Sequence, residues 1–143
     1  MTSLQVVIDC ADPAALALFW AEALHYHVAP PPPGFDGWPA FLAAQGVPES
    51  EWNSASAIED PEGAGPRVFL QRVPEAKTVK NRVHLDLHVA GGPSVAAGER
   101  ERRIQDEVAR LEALGARQVG EGQQFDHHWI VLTDPEGNEF CVG

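Results

Sequence analysis

Three polar residues at alternate positions, His84, Asp86 and His88, are the first candidates for chemistry in this sequence. They belong to the stretch RVHLDLHV, in which every second residue is apolar. Because strand side chains change face at every residue, a strand here would carry both imidazoles and the carboxylate on one face. A histidine beside a carboxylate can act as an acid or a base, or bind a metal. A solvated strand face is the structural alternative.

A second alternating stretch, LQVVIDC near the start of the chain, places Gln5 and Asp9 on one face. A partly enclosed carboxylate can serve as a catalytic base, so Asp9 is a candidate for that role. Simple solvation or pairing with an arginine is the alternative.

The closing strand and the residues before it supply the remaining candidates for chemistry. Glu139 and Cys141 are two positions apart and so share a strand face. Cys141 has no Lys or Arg close in sequence to lower the pKa of its thiol, which favours a packing role over a nucleophilic one. His127 and His128 precede Trp129, but adjacent strand residues face opposite ways, so only one histidine can reach a given site.

Aromatic residues are concentrated in the loop from Gly34 to Ser54, which also contains Gly, Pro and acidic residues. Burying so much apolar surface in a loop needs a reason. The aromatic side chains either cap the core or a dimer interface, or they form the wall of an apolar substrate pocket; they are Phe35, Trp38, Phe41 and Trp52.

Two helices and eight strands are predicted to position these residues. Asp12 and Pro13 begin a helix over Ala14–Leu24, and apolar spacing predicts a second over Glu99–Leu114. The segment Pro39–Gln45 is the candidate for one short helix within the aromatic loop. The predicted strands are Leu4–Cys10, His25–Ala29, Ala55–Glu59, Val68–Val73, Arg82–Val89, Arg117–Val119, His128–Thr133 and Asn138–Val142.

An internal repeat organises these elements into two β-α-β-β-β modules. The turn sequence DPEG occurs at Asp60 and again at Asp134, and Gln5 and His84 lie at matching points of their opening strands. A four-stranded module has open edges and an uncovered sheet face. Two modules are therefore expected to pair into a larger curved sheet, with the helices outside and a cleft within.

Length and charge limit the class of protein. The 143 residues suit one domain or two half-size modules, and the net charge of -11 argues against partners such as nucleic acid or anionic membranes. The sequence has neither a signal-peptide pattern nor an apolar run of about 20 residues. We therefore expect a cytoplasmic protein whose partners are a small molecule and a second copy of the chain, as a homodimer.

The whole chain resembles the vicinal oxygen chelate superfamily, and in particular its glyoxalase-like members. The resemblance rests on the opening strand with Asp12 and Pro13, the helix with Phe19 and Trp20, and the segments VFLQRV, VHLDLHV and TDPEGNEFCVG. It implies an α+β fold in which residues 1–143 form a single domain. The domain would consist of one module over residues 1–74 and another over 82–143, forming a curved mixed sheet around a cleft.

The resemblance also implies a divalent metal bound by four residues on the cleft face, which correspond to Gln5, Gln71, His84 and Cys141. The two carboxylates that the superfamily usually supplies are absent from this set. Neutral amides bind metals poorly, whereas a thiolate and an imidazole favour zinc or a softer ion over magnesium or manganese.

The resulting hypothesis is a glyoxalase-like protein that binds an organic small molecule between its modules. A metal-assisted lyase, isomerase or dioxygenase step would use Asp9, Asp86 or Glu139 to move a proton. The residues expected to contact the substrate are Trp38, Trp52, His88 and Trp129. The alternative is a metal-free protein that binds a drug or metabolite, as bleomycin-resistance proteins do.

Overall fold

The computed structural model describes residues 2–143 and divides the chain into two compact units, one ending at Ala76 and the other spanning Lys77–Gly143. Each unit contains one four-stranded mixed sheet and one long helix, in the order β-α-β-β-β. The predicted α+β class and the two β-α-β-β-β modules are therefore confirmed.

The first unit has the strand order β1-β4-β3-β2, with β1 and β4 parallel. Its long helix α1 packs against β3 and β4 through Leu16, Phe19 and Trp20, all of which are buried. A short 3-10 helix, Glu49–Glu51, follows the aromatic loop. The elements are β1 (Gln5–Cys10), α1 (Pro13–Leu24), β2 (His27–Val28), α2 (Trp38–Ala44), β3 (Ala55–Glu59) and β4 (Arg67–Arg72).

The second unit repeats this arrangement with the strand order β5-β8-β7-β6, and β5 and β8 are parallel. Helix α3 covers one face of the sheet with Ile104, Val108 and Leu111, which are buried, and leaves the other face open. The elements are β5 (Leu85–Leu87), α3 (Ala97–Ala113), β6 (Arg117–Gln124), β7 (His127–Thr133) and β8 (Glu139–Val142).

Strand β5 is shorter than the alternating sequence predicted, with three residues rather than the eight of Arg82–Val89. Its partner β8 has four residues, so the ladder has little length over which to form. Val83 is 81% exposed, and the expected apolar row is therefore broken at that position, although Leu87 is buried. Strand β6 is longer than predicted because pairing with β7 extends it to Gln124 through a sequence without apolar residues.

The two DPEG turns have the same local structure. Asp60 Oδ1 accepts a hydrogen bond from Glu62 N at 2.9 Å, and Asp134 Oδ1 accepts one from Glu136 N at 2.9 Å. The fourth residue of each turn is a glycine with positive φ, a conformation in which a side chain is strained. The internal repeat is therefore present in the structure.

The register of the repeat differs from the prediction. Val73 N donates to Cys10 O, and Gly143 N donates to Leu87 O, so Leu87 corresponds to Cys10. His84 then corresponds to Val7 rather than to Gln5, and the predicted match was wrong by two residues. A shift of two keeps every side chain on the same face, so the alternation of the sequence could not reveal it.

Among residues 2–143, no helix combines the length and apolar character needed to cross a membrane.

Candidate functional site

The open face of the second sheet contains a pocket of about 370 Å³. Its floor is formed by side chains from three neighbouring strands, β5, β8 and β7, that point away from α3. The pairing of Asp86 with Cys141, and of Cys141 with Val131, places these three residues side by side on that face. The pocket is lined by Lys80, His84, Asp86, His88, His127, Trp129, Val131, Glu139, Cys141 and Gly143.

A nitrogen, an oxygen and a sulfur donor meet at the β5 side of this pocket. His84 Nε2 lies 3.3 Å from Asp86 Oδ1, and ligand atoms of His84, Asp86 and Cys141 are all within 4.8 Å of one another. Asp86 and Cys141 are directly opposite on parallel strands, and His84 precedes Asp86 by one pleat. The sheet register thus brings the three donors together, and we call them the β5–β8 triad.

The thiol of the triad is held in its protonated form. Burial raises the pKa of Cys141 above its usual value, and the negative charge and hydrogen bonding of Asp86 raise it further. The positive charge of Lys80 lowers this pKa by a smaller amount. Lys80 is distant from Cys141 in the sequence, so the sequence analysis did not identify it as a neighbour. An unassisted thiol here is a weak nucleophile, because the thiolate is the reactive species.

Trp129 forms a flat apolar surface in the pocket. A Cβ atom added at Gly122 on β6 would overlap the indole ring of Trp129, so the ring lies directly across that glycine. The His127 ring lies 5.5 Å from the indole, centroid to centroid, and is inclined to it by 33°. The absence of a side chain at Gly122 therefore makes room for an aromatic floor, a role that the sequence analysis missed.

Glu139 lines the pocket, but its carboxylate anchors the chain segment before β5. Asn81 N donates to Glu139 Oε2 at 2.9 Å, and Lys77 Nζ lies 3.3 Å from the same oxygen. The backbone hydrogen bond from Asn81 is the main reason that the pKa of Glu139 is lowered. The carboxylate is therefore ionised and positions the segment that carries Lys80, and its predicted role in catalysis stays a prediction.

Two of the four metal ligands that the resemblance implied, Gln5 and Gln71, lie apart within the first unit. In the first unit Gln5 is opposite Arg67, while Gln71 is opposite Asp9. Gln5 and Gln71 are thus four residues apart along the sheet, roughly 13 Å between backbone positions, and a metal ion shared by these two residues stays a prediction. Gln5 Oε1 accepts a hydrogen bond from Arg67 Nη1 at 2.8 Å. Of that set, His84 and Cys141 do lie together, and Asp86 joins them.

Trp38 and Trp52 hold the aromatic loop of the first unit in place. Trp38 Nε1 donates to Ala29 O at 2.8 Å, and Trp52 Nε1 donates to Val47 O at 3.0 Å. The Trp38 ring also packs edge-to-face against Phe41, with centroids 5.7 Å apart. These contacts agree with the packing alternative for the loop, and a substrate-binding role for either tryptophan stays a prediction. Asp9, on the exposed face of the same sheet, likewise stays a predicted base.

His128 lies on the helix side of the sheet, opposite in direction to His127, as the alternation predicted. Its Nδ1 is 2.8 Å from Glu101 Oε2 on α3, and its Nε2 is 3.2 Å from Glu121 Oε2 on β6. Burial lowers the pKa of His128, but the hydrogen bonds to Glu101 and Glu121 outweigh it, and the pKa is raised above 6.5. When it is protonated, the imidazole donates to both carboxylates and so bridges α3 and the β6–β7 hairpin.

We expect this bridge to make stability depend on pH. Because the pKa of His128 is higher in the folded chain, protonation stabilises the fold below pH 6.5, and the benefit is lost as the pH rises through the folded value. The difference in Tm between the wild-type protein and H128Q should shrink as the pH increases from about 6 to about 8. H127Q, on the opposite face, is the control, and a pH-independent difference for H128Q would contradict the bridge.

The two β-α-β-β-β units, each with its own four-stranded mixed sheet, have the topology of the vicinal oxygen chelate class of fold. The family model of the glyoxalase-like domain matches residues 5–143. This protein belongs to the glyoxalase-like domain family. No curated protein was found with a significant sequence match.

Solved structures confirm the fold. A glyoxalase/bleomycin resistance protein/dioxygenase family enzyme from Burkholderia phytofirmans PsJN is 14% identical, with a TM-score of 0.61, over 96% of this chain and 94% of that one. A mutant fosfomycin resistance protein from Listeria monocytogenes, complexed with Mn(II) and 1S,2S-dihydroxypropylphosphonic acid, is 10% identical, with a TM-score of 0.61, over 99% and 89%. The lactoylglutathione lyase from Agrobacterium tumefaciens is 10% identical, with a TM-score of 0.56, over 99% and 92%.

Proposed function

We propose that the open face of the second sheet binds a planar organic small molecule together with a divalent metal ion of the zinc type. The observation that carries this proposal is the β5–β8 triad, whose three donors gather at one end of a pocket that has an aromatic floor. The small molecule would lie on Trp129 and direct an oxygen atom toward the triad.

The donor chemistry of the triad fits zinc. Structural and catalytic zinc sites use imidazole nitrogen, thiolate sulfur and carboxylate oxygen, and catalytic sites keep a fourth position for water or substrate. Tetrahedral zinc bonds separate their donor atoms by roughly 3.3–3.8 Å, a little less than the 4.8 Å limit within which the three atoms lie. A sulfur donor suits zinc better than manganese. The triad therefore differs in ligand type from the oxygen-rich sites that hard ions prefer.

Each pocket residue has a distinct task in this proposal. A bound divalent ion would polarise a carbonyl or hydroxyl oxygen of the ligand. Trp129 positions the planar part of the ligand by stacking, and Val131 excludes water beside it. His88 lines the same pocket and is the side chain proposed to move a proton in the reaction. A lyase or isomerase step is the reaction class that this arrangement serves.

A metal-free binding protein is the second candidate function. The pairing of His84 with Asp86, and the hydrogen bonding between Asp86 and the Cys141 thiol, satisfy these groups without an ion. In that case the triad would be a polar end wall, and Trp129 alone would supply most of the affinity for a flat drug or metabolite.

Titration calorimetry with 2,3-dihydroxynaphthalene, a planar probe with two adjacent oxygens, tests both candidates. Stacking on Trp129 predicts that W129L weakens binding about 3- to 10-fold, whereas F125L, at an exposed aromatic residue outside the pocket, leaves it unchanged. The metal-dependent function also predicts weaker binding after chelator treatment, and binding that resists the chelator would favour the metal-free candidate. Equal affinity for the wild-type protein and W129L, or no binding, would refute the proposed pocket.

The assembly and location expected from the sequence remain part of the proposal. We propose that residues 1–143 form one two-module domain, as alignment over 96–99% of this chain with single neighbouring chains suggests. We further propose a cytoplasmic homodimer. Light scattering that gave the mass of one chain would contradict the homodimer.

A further inference from the structure

A second cavity, of about 350 Å³, lies within the second unit at the end of the sheet where β5 and β8 finish. One side is formed by the first turns of α3, and the other by the β6–β7 hairpin. His88, His127 and Gly143 line this cavity and also the pocket that contains Trp129. The two cavities therefore share part of their lining and lie side by side.

Arg100 lines this second cavity, and its guanidinium is only weakly paired with protein carboxylates. Its side chain is only 20% exposed, yet its ion-pair partner Asp126 lies 3.5 Å away and is 75% exposed. A guanidinium has five N–H donors, and a long ion pair with an exposed carboxylate contributes little. An enclosed cation with so weak a partner is suited to bind an oxyanion.

Two other arginines of α3 form short ion pairs with carboxylates and provide a comparison for Arg100. Arg102 lies 2.8 Å from Glu99 and 2.6 Å from Asp106, although its side chain is far more exposed than that of Arg100. Arg103 lies 2.9 Å from Glu99. Arg100 thus combines the greatest enclosure of the three with the weakest pairing.

Glu101, the other carboxylate that lines the cavity, pairs with His128 and Gln105 rather than with Arg100. Its Oε2 is 2.8 Å from His128 Nδ1, and its Oε1 accepts a hydrogen bond from Gln105 Nε2 at 2.8 Å. Asp126 lies in the exposed hairpin turn between β6 and β7, so an incoming oxyanion can replace it without disturbing a buried contact.

We propose that the second cavity is an oxyanion subsite, in which Arg100 binds an acidic group of the molecule whose planar part lies on Trp129. The inference rests on the proposed function and narrows it, because the ligand becomes an elongated aromatic acid. A carboxylate can accept two parallel hydrogen bonds from the guanidinium, which gives strength and direction to the contact.

Two probes of equal length separate this inference from the proposed function. The acid 4-(2-naphthyl)butanoate and its amide 4-(2-naphthyl)butanamide share the planar group, and only the acid is charged. In calorimetry we expect the wild-type protein to bind the acid about 10-fold more tightly than the amide, a ratio typical of a charge-assisted contact. R100Q should bind the acid and the amide with equal affinity. R102Q, on the same helix and outside the cavity, should retain the preference for the acid.

The outcomes that overturn the inference are distinct. Equal affinity of the wild-type protein for acid and amide, or a ratio that survives R100Q, refutes the oxyanion subsite while the Trp129 pocket stands. Failure of the acid to bind refutes the subsite, and the separate titration with 2,3-dihydroxynaphthalene then decides whether the Trp129 pocket stands. Excess inorganic phosphate should compete with the acid and not with the amide, and competition with both would place the anion beside Trp129 instead.

Discussion

Replacing Cys141 with serine is expected to weaken binding of Zn²⁺ by roughly 100-fold or more, because the thiolate is the soft donor of the triad. His84 and Asp86 would remain, but an alcohol is a poor ligand in place of a thiolate. Co²⁺ is a suitable spectroscopic substitute, because a cobalt–thiolate bond gives a charge-transfer absorption that a serine variant cannot give. Titration of the wild-type protein should show that absorption, and C141S should lack it.

The pH dependence of metal binding provides a second readout of the same prediction. Burial and Asp86 raise the pKa of Cys141, so the metal must displace a proton from the thiol. Wild-type affinity should therefore increase with pH, whereas C141S should show a weaker increase. C10A removes the buried thiol of the first unit and is the matched control. An unchanged cobalt spectrum in C141S would contradict the triad.

Replacing Asp134 with alanine is expected to lower the free energy of unfolding by about 2–4 kcal/mol. Asp134 is only 3% exposed, and its carboxylate accepts hydrogen bonds from Glu136 N, Asn138 N and Asn138 Nδ2. Without the carboxylate, these donors lose their partner in a place that water does not easily reach. The turn joins β7 to β8, so the change should also weaken ligand binding at Trp129 and Cys141.

The repeat supplies the control for this experiment. Asp60 accepts comparable backbone hydrogen bonds in the first DPEG turn, but it is more exposed, so water can replace the carboxylate. Urea unfolding followed by circular dichroism should give a smaller decrease in the free energy of unfolding for D60A than for D134A. Equal decreases in the free energy of unfolding for D60A and D134A would show that the burial of Asp134 does not determine the size of the decrease.

Local signals in the sequence were sufficient for most of the fold. Asp12 and Pro13 mark the start of α1, and the Asp12 side chain does accept a hydrogen bond from Ala15 N. The two DPEG segments mark matching turns. Strand lengths at β5 and β6 were not predictable, because they depend on how far a partner strand extends and not on the residues of the strand itself.

The candidate site was predictable in part. Alternation placed Asp86 on the same face as His84, and the resemblance added Cys141, but neither could show that the three donors meet. That convergence depends on the register of β5 against β8. The floor formed by Trp129 over Gly122, and the weak pairing of Arg100, arise from contacts between distant elements and leave no pattern in the sequence.

X-ray absorption at the zinc edge, on protein loaded with one equivalent of Zn²⁺, tests the central claim most directly. The β5–β8 triad predicts one sulfur neighbour at about 2.3 Å and nitrogen or oxygen neighbours at about 2.0–2.1 Å, with the sulfur lost in C141S. A shell of oxygen and nitrogen alone, or the absence of stoichiometric metal, would contradict the zinc site on the open face of the second sheet.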